Sequence, residues 1–231
     1  MNNVIEQYLD YLNTARKQYN GLIEKPARDV TINKFTTISK NSELDVIKAK
    51  NLVEAALTEG RRVWNWSDQH FNHDMLWKKG YRAFHSREEM NSRMLSGMET
   101  IQKDDVLIFG GDLCFYDFKE IVQAINKIEC QKIYIVGNHD VRDNSLQNEL
   151  RKVVDALTIA FDFNHSSILN GSNIVVSHYP FSEDKLYNVQ FNLHGHTHQY
   201  LMGEKHINMC VEHTNYIPIV LSDLILKNKT T

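Results

Sequence analysis

Two apolar runs, Val106-Leu107-Ile108-Phe109 and Ile133-Tyr134-Ile135-Val136, constrain the fold of this chain more than any other feature. Both are too short for a helix and apolar at every position, the pattern of a strand buried on both faces. Each breaks at a polar turn, the first at Gly110-Gly111-Asp112 and the second at Gly137-Asn138-His139-Asp140. A third run, Val63 to Trp66, ends in Ser67-Asp68-Gln69-His70-Phe71-Asn72-His73. Helical patterns lie between these runs, at Ser86 to Ile101, where Ser86 and Glu89 form a capping box, and at Lys119 to Ile128. Strands alternating with helices from Arg61 onward predict crossover units. In open α/β sheets ligands bind beyond the carboxyl ends of the strands, so the three polar turns are expected to face one site.

The second half reads as strands joined by turns. Asn170-Gly171, between Ile168-Leu169 and Ile174-Val175-Val176, has the composition of a type I′ hairpin turn and predicts an antiparallel pair. That pair ends in Ser177-His178-Tyr179-Pro180. Phe191 to Leu193 leads into His194-Gly195-His196-Thr197-His198, Ile207 to Val211 and Ile217 to Leu221 are two further strands, and a short tail follows. Crossover units first and antiparallel strands later predict an α/β fold of two packed sheets with helices outside.

The first sixty residues differ. Ile5, Tyr8, Leu9 and Leu12 give Val4 to Asn20 a helical stripe, residues 27–41 read as a connector rich in Thr, Asn and Lys, and a second helix runs from a cap at Ser42 to Gly60. The expected organisation is a helical N-terminal extension over 1–60 and a catalytic domain over 61–231. The extension is expected to pack on the main domain, where it caps the site, forms a dimer or recruits a partner.

A chain of 231 residues can bury a substantial core. Its formal net charge of −3 gives no bulk attraction to nucleic acid or anionic lipid, so recognition of phosphate has to be local. Cys114, Cys130 and Cys210 form no CxxC pair and read as buried apolar residues rather than a disulfide framework. Trp64, Trp66 and Trp77 read as packing residues. No apolar run approaches the ~18 residues of a membrane span and no secretory signal is evident, so the expected location is the cytoplasm, with no membrane partner.

The strand ends carry Asp68, His70, Asp112, Asn138, His178, His196 and His198, oxygen and nitrogen donors without a thiolate. That set suits two divalent metal ions, Mn²⁺ first, with Fe, Zn²⁺, Ni²⁺ or Mg²⁺ as alternatives. Asp112, on the central run, is the natural bridge. Two ions ~3.5–4 Å apart would share a hydroxide and polarise a phosphoryl oxygen, and such a centre keeps about one positive charge, which suits a phosphate ester. His139 follows a proposed ligand directly, so it is the candidate donor of a proton to the leaving oxygen. Asp140 is the catalytic partner expected to orient His139 and raise its pKa. His73 and His194 are candidates for substrate contact or for supporting the ligands.

The ordered set Asp68-x-His70, Gly111-Asp112, Gly137-Asn138-His139-Asp140, His178 and Gly195-His196-x-His198 resembles the calcineurin-like metallophosphoesterase superfamily. The likeness covers the chain from about Val63 onward. The wording around Ser67 to His73, Arg82 to Asn91 and Asn208 to Pro218 resembles its small single-domain branch. The resemblance implies an α/β/β/α sandwich of two mixed sheets and hydrolysis of phosphomonoesters or phosphodiesters. It also implies one metal held by Asp68, His70, Asp112 and His198, and the other by Asp112, Asn138, His178 and His196. The expected function is a phosphodiesterase acting on a nucleotide-like or nucleic-acid substrate. The alternatives are a phosphomonoesterase or pyrophosphohydrolase on a small phosphorylated metabolite, and an inactive metal-bearing interaction protein. The extension before residue 61 and the aromatic segment Leu113 to Phe118 lie outside what the resemblance explains.

Overall fold

The computed structural model describes residues 4–18, 29–40, 42–164 and 173–230. Three helices come first: α1 (Val4–Gln18), α2 (Asp29–Ser39) and α3 (Glu43–Thr58). Crossover units follow, with β1 (Val63–Trp66), α4 (Asp74–Lys78), α5 (Arg87–Gly97), β2 (Val106–Phe109), α6 (Phe118–Asn126), β3 (Gln131–Ile135), α7 (Asn144–Leu150) and β4 (Ala156–Thr158). The remainder contains β5 (Ala160–Asn164), β6 (Asn173–Ser177), β7 (Val189–His194), β8 (His206–Asn208), β9 (Ile219–Val220) and α8 (Leu221–Thr230).

Two mixed sheets result. The first has strand order β4-β3-β2-β1-β9 and is parallel except for β9; the second has order β5-β6-β7-β8. Strand alternation sends successive side chains to opposite faces, so each apolar run serves two cores. Val63, Val106, Ile108, Ile133 and Ile135 face the second sheet's Phe161, Phe163, Ile174, Val176, Leu193 and Ile207. Trp64, Trp66, Leu107, Phe109 and Tyr134 belong to the other core, with Met90 and Met94 of α5 and Ile121 and Ile125 of α6. The fold is an α/β sandwich of two sheets flanked by helices. Among the described residues no helix is long and apolar enough to cross a membrane.

Four sequence expectations need correction. Residues 29–39 of the expected connector are helical, because Ile32, Phe35 and Ile38 recur every third residue and are buried. The threonines that argued against a helix return their hydroxyls to its own carbonyls, Thr36 to Ile32 and Thr37 to Asn33. Helix α3 is a wall of the sandwich: Ala49, Val53 and Ala56 lie in the inter-sheet core, so the packed body begins before residue 61. The predicted turn at Asn170-Gly171 and strand Ile168-Leu169 lie outside the described residues; β6 pairs antiparallel with β5, but β6–β7 and β7–β8 are parallel. The predicted tail is α8, which buries Leu221, Leu224 and Ile225.

Those parallel pairings have a consequence for chemistry. They bring the segments after β6, β7 and β8 to one end of their sheet, as β1, β2 and β3 do in theirs. The two ends are then stitched together: Ser67 N–H donates to Met209 O and Val211 N–H to Ser67 O, both at 3.0 Å, while Met209 N–H donates to His194 O at 2.8 Å within the second sheet.

Candidate metal centre

The loops after β1 and β2 run side by side, with Asp68 N–H donating to Gly111 O and His70 N–H to Asp112 O, both at 3.0 Å. Five donors on these and the β7 loop have left-handed backbone: Asp68, His70, Asp112, His196 and His198, with φ between 48° and 67°. Asp and His enter this region more readily than most residues. Gly195 admits no larger residue, since a Cβ there would overlap Ser67 Oγ and Asp68 Oδ2.

Each of the two carboxylates divides its work. Asp68 Oδ2 accepts from Ser67 Oγ at 2.5 Å, from His196 N–H at 2.8 Å and from the Cys210 thiol at 3.2 Å. Its Oδ1 is buried without a hydrogen-bond donor and lies 3.7 Å from His70 Nε2 and 4.0 Å from His198 Nε2. Asp112 Oδ1 accepts from His139 N–H at 2.8 Å. Its Oδ2 lies 3.4 Å from His178 Nε2, 3.8 Å from His70 Nε2 and 4.0 Å from His139 Nε2.

The imidazoles are held with their inner nitrogens directed at these oxygens. His178 Nδ1 donates to Gly110 O at 2.8 Å, a carbonyl that can only accept, which leaves Nε2 facing Asn138 Oδ1 at 2.9 Å. His198 Nδ1 lies 3.2 Å from Glu212 Oε1, which leaves Nε2 for the centre. Two groups of donor atoms result, Asp68 with His70 and His198, and Asp112 with His178 and His196, each within 4.8 Å. Asp112 Oδ2 lies near imidazoles of both.

The electrostatics record how much negative charge is concentrated here. Burial works against a charged His178, yet Asp112 and Asp68 carry its pKa up to about 10. Burial also opposes ionisation of Asp68 and Asp112, but His178 and the neighbouring histidines hold both below the usual carboxylate range. Burial pushes His70 down to about 4. An unpartnered buried carboxylate oxygen beside the neutral His70 imidazole is costly alone and fits a divalent cation.

Asp140 is a correction. Its carboxylate accepts from the backbone N–H groups of Asp112 and Gly137 at 2.8 Å, from Leu113 N–H at 3.2 Å and from Tyr134 Oη at 2.8 Å. It staples the β2 and β3 loops together and does not orient the His139 ring. Burial and the charge of Asp112 raise Asp140 to about 6, whereas burial lowers His139 below its ordinary value, opposite to the expected direction. His194 takes the second of its two expected places: fully buried, it bonds Gly195 O at 2.8 Å, between the donors' loop residues, and packs on His206. His73 lies at the rim, its ring 4.0 Å from that of Phe115.

Two supporting residues escape a reading by motif. Buried Arg82 donates to Asp68 O and Gln69 O, both at 2.7 Å, and pairs with Glu212 Oε1 at 2.7 Å. Burial opposes the charge on Glu212, but His198 and Arg82 pull its pKa down to about 2. The signal available was a guanidinium and a carboxylate inside two stretches singled out in the sequence, Arg82 to Asn91 and Asn208 to Pro218.

No family model matches this chain. An uncharacterized protein of Methanocaldococcus jannaschii, MJ1445, is 30% identical to it over 184 residues, 72% of this chain and 90% of that protein. The crystal structure of a protein of unknown function from Aquifex aeolicus, AQ665, matches with a TM-score of 0.56 at 23% identity, covering 71% of this chain and 97% of that one. This second likeness shows a shared fold.

Proposed function

The chain belongs to the family of protein MJ1445 of Methanocaldococcus jannaschii, and we propose that it is a metal-dependent phosphoric ester hydrolase, a phosphodiesterase acting on a nucleotide-like or nucleic-acid substrate. The observation that carries this reading is the pair of adjacent donor groups, with Asp112 Oδ2 within 3.8 Å of an imidazole of each and the buried, unpartnered Asp68 Oδ1 aimed into one of them. Asp68, His70 and His198 would hold one divalent cation, Asp112, His178, His196 and Asn138 the other, with Asp112 common to both. Such a pair, when bound, supplies Lewis-acid polarisation of a phosphoryl group and activation of water.

The chain's own residues do the rest. Gly110 O and Glu212 keep His178 and His198 in the tautomers that present Nε2. Arg82 fixes the backbone that carries Asp68. His139, with Nε2 facing Asp112, holds a proton for the leaving oxygen as the ester P–O bond breaks, while the oxygen of water adds to phosphorus and its proton passes to solvent.

The test is metal content and turnover of the full chain supplied with Mn²⁺. About two ions per chain and hydrolysis of bis(p-nitrophenyl) phosphate are expected, and Asp112→Asn should lose both. Bound metal without turnover on aryl phosphates, cyclic nucleotides, dinucleotides and single-stranded nucleic acids would favour a metal-bearing interaction protein instead.

A further inference from the structure

His139 stands between two spaces. On one side its Nε2 faces the candidate metal centre. On the other it lines a cavity of about 440 Å³ whose walls include Phe115, Tyr116, Phe118 and Arg142, a volume in the range of small-molecule sites. The Phe115 ring lies 5.4 Å from His139 and 4.7 Å from Tyr116, and Tyr116 is 61% exposed. Arg142 is exposed, and its guanidinium has no ion-pair partner among the described residues.

This aromatic wall is built, not incidental. The carbonyl of Tyr116 accepts from Asn72 Nδ2 and from the Cys114 thiol, each at 2.8 Å. Asn91 Nδ2 donates to Asn72 Oδ1 at 2.7 Å and so fixes the direction of that amide. Asp117 takes a left-handed turn, φ 49°, that closes the loop. The rings are thus positioned before any ligand arrives, which lowers the ordering cost of binding.

We propose that this cavity is the subsite for the leaving group, and that it takes an aromatic one: an aryl ring or nucleobase stacked on Phe115 and Tyr116, with the planar Arg142 guanidinium closing over it. The assignment to the leaving group rests on the hydrolytic reading above. If His139 protonates the departing oxygen, the group bonded to that oxygen extends past His139, and the cavity is what lies there. On the opposite flank, among the described residues, Tyr179 packs on His196 at 4.0 Å and is itself backed by Phe35.

Adenosine titrated by saturation-transfer NMR into the full chain, freed of metal by a chelator, tests the subsite apart from catalysis. Saturable binding is expected, weakened about fivefold or more in Phe115→Ala, restored in Phe115→Trp and weakened in Arg142→Ala, as loss of one stacking contact implies. Absence of saturable binding, or binding indifferent to Phe115→Ala and Arg142→Ala, would overturn the proposal. Mn²⁺-dependent turnover of bis(p-nitrophenyl) phosphate is scored separately. With turnover, adenosine should inhibit competitively in the wild type and at least fivefold less well in Phe115→Ala. Binding at Phe115 in a chain that has no turnover would overturn the assignment to a leaving group.

Discussion

Two aromatic walls flank the candidate centre, and they are used in opposite ways. On one flank Tyr179 lies against His196, meets Phe35 of α2 edge-on at 6.4 Å, and has its backbone N–H held by Tyr8 Oη of α1 at 2.9 Å. On the other, Phe115 lies between His73 and His139 and continues into the exposed Tyr116. The helices before residue 40 account for the difference. They fill the first flank with buried Tyr8 and Phe35, and Lys34 Nζ reaches across to Val141 O at 2.6 Å, beside the His139 loop. Aromatic residues on the filled flank therefore serve stability, while those on the open flank are the ones proposed to meet a ligand.

The largest expected effect belongs to His139, the residue shared by the open flank and the centre. His139→Ala should keep about two bound Mn²⁺ while turnover falls roughly 10²- to 10⁴-fold, the usual contribution of a positioned proton donor. Elemental analysis beside steady-state kinetics checks this, and unchanged turnover would remove the assignment.

A matched pair of phenylalanines sharpens the contrast. Phe35→Ala empties a fully buried site and should cost about 3–5 kcal/mol, lowering Tm by roughly 6–20 °C. Phe115→Ala, on a half-buried side chain, should cost under about 1 kcal/mol yet raise KM for an aryl ester. Thermal denaturation and kinetics on both variants decide the matter; equal losses of stability would erase the distinction between the flanks.

A loss of stability between those of Phe35→Ala and Phe115→Ala is expected at the join. Tyr8→Phe removes the acceptor of Tyr179 N–H and should cost about 1–2 kcal/mol, with a modest change in turnover, since the N–H loses its partner in a partly buried setting. A loss no greater than that of an exposed tyrosine would mean that α1 does not brace the His178 loop.

The donors could be read from the sequence because each apolar run ends where its side chains change type. Glycine and a donor at the end of Val106 to Phe109 or Ile133 to Val136 mark both the strand's limit and its exit toward a ligand. What the sequence concealed depended on partners distant in the chain. Asp140 follows His139 directly, which suggested a pair, but its oxygens are taken by Asp112, Leu113, Gly137 and Tyr134. Glu212 and Arg82 are ordinary charged residues until folding sets them 2.7 Å apart behind His198 and Asp68. The second half read as antiparallel strands, as β5 and β6 are, yet the connections over 178–188 and 195–205 are long enough to return the chain for parallel pairing. Helix α2 was hidden because threonine and asparagine weaken a helical pattern that three buried apolar residues then rescue by packing.

The most direct measurement is anomalous scattering from crystals of the full chain grown with Mn²⁺. The account predicts two peaks ~3.5–4 Å apart, one between Asp68, His70 and His198, the other between His178, His196 and Asn138, with Asp112 touching both. A crystal in which that place holds no metal at saturating Mn²⁺, or holds it with Asp112 turned away, would contradict the account.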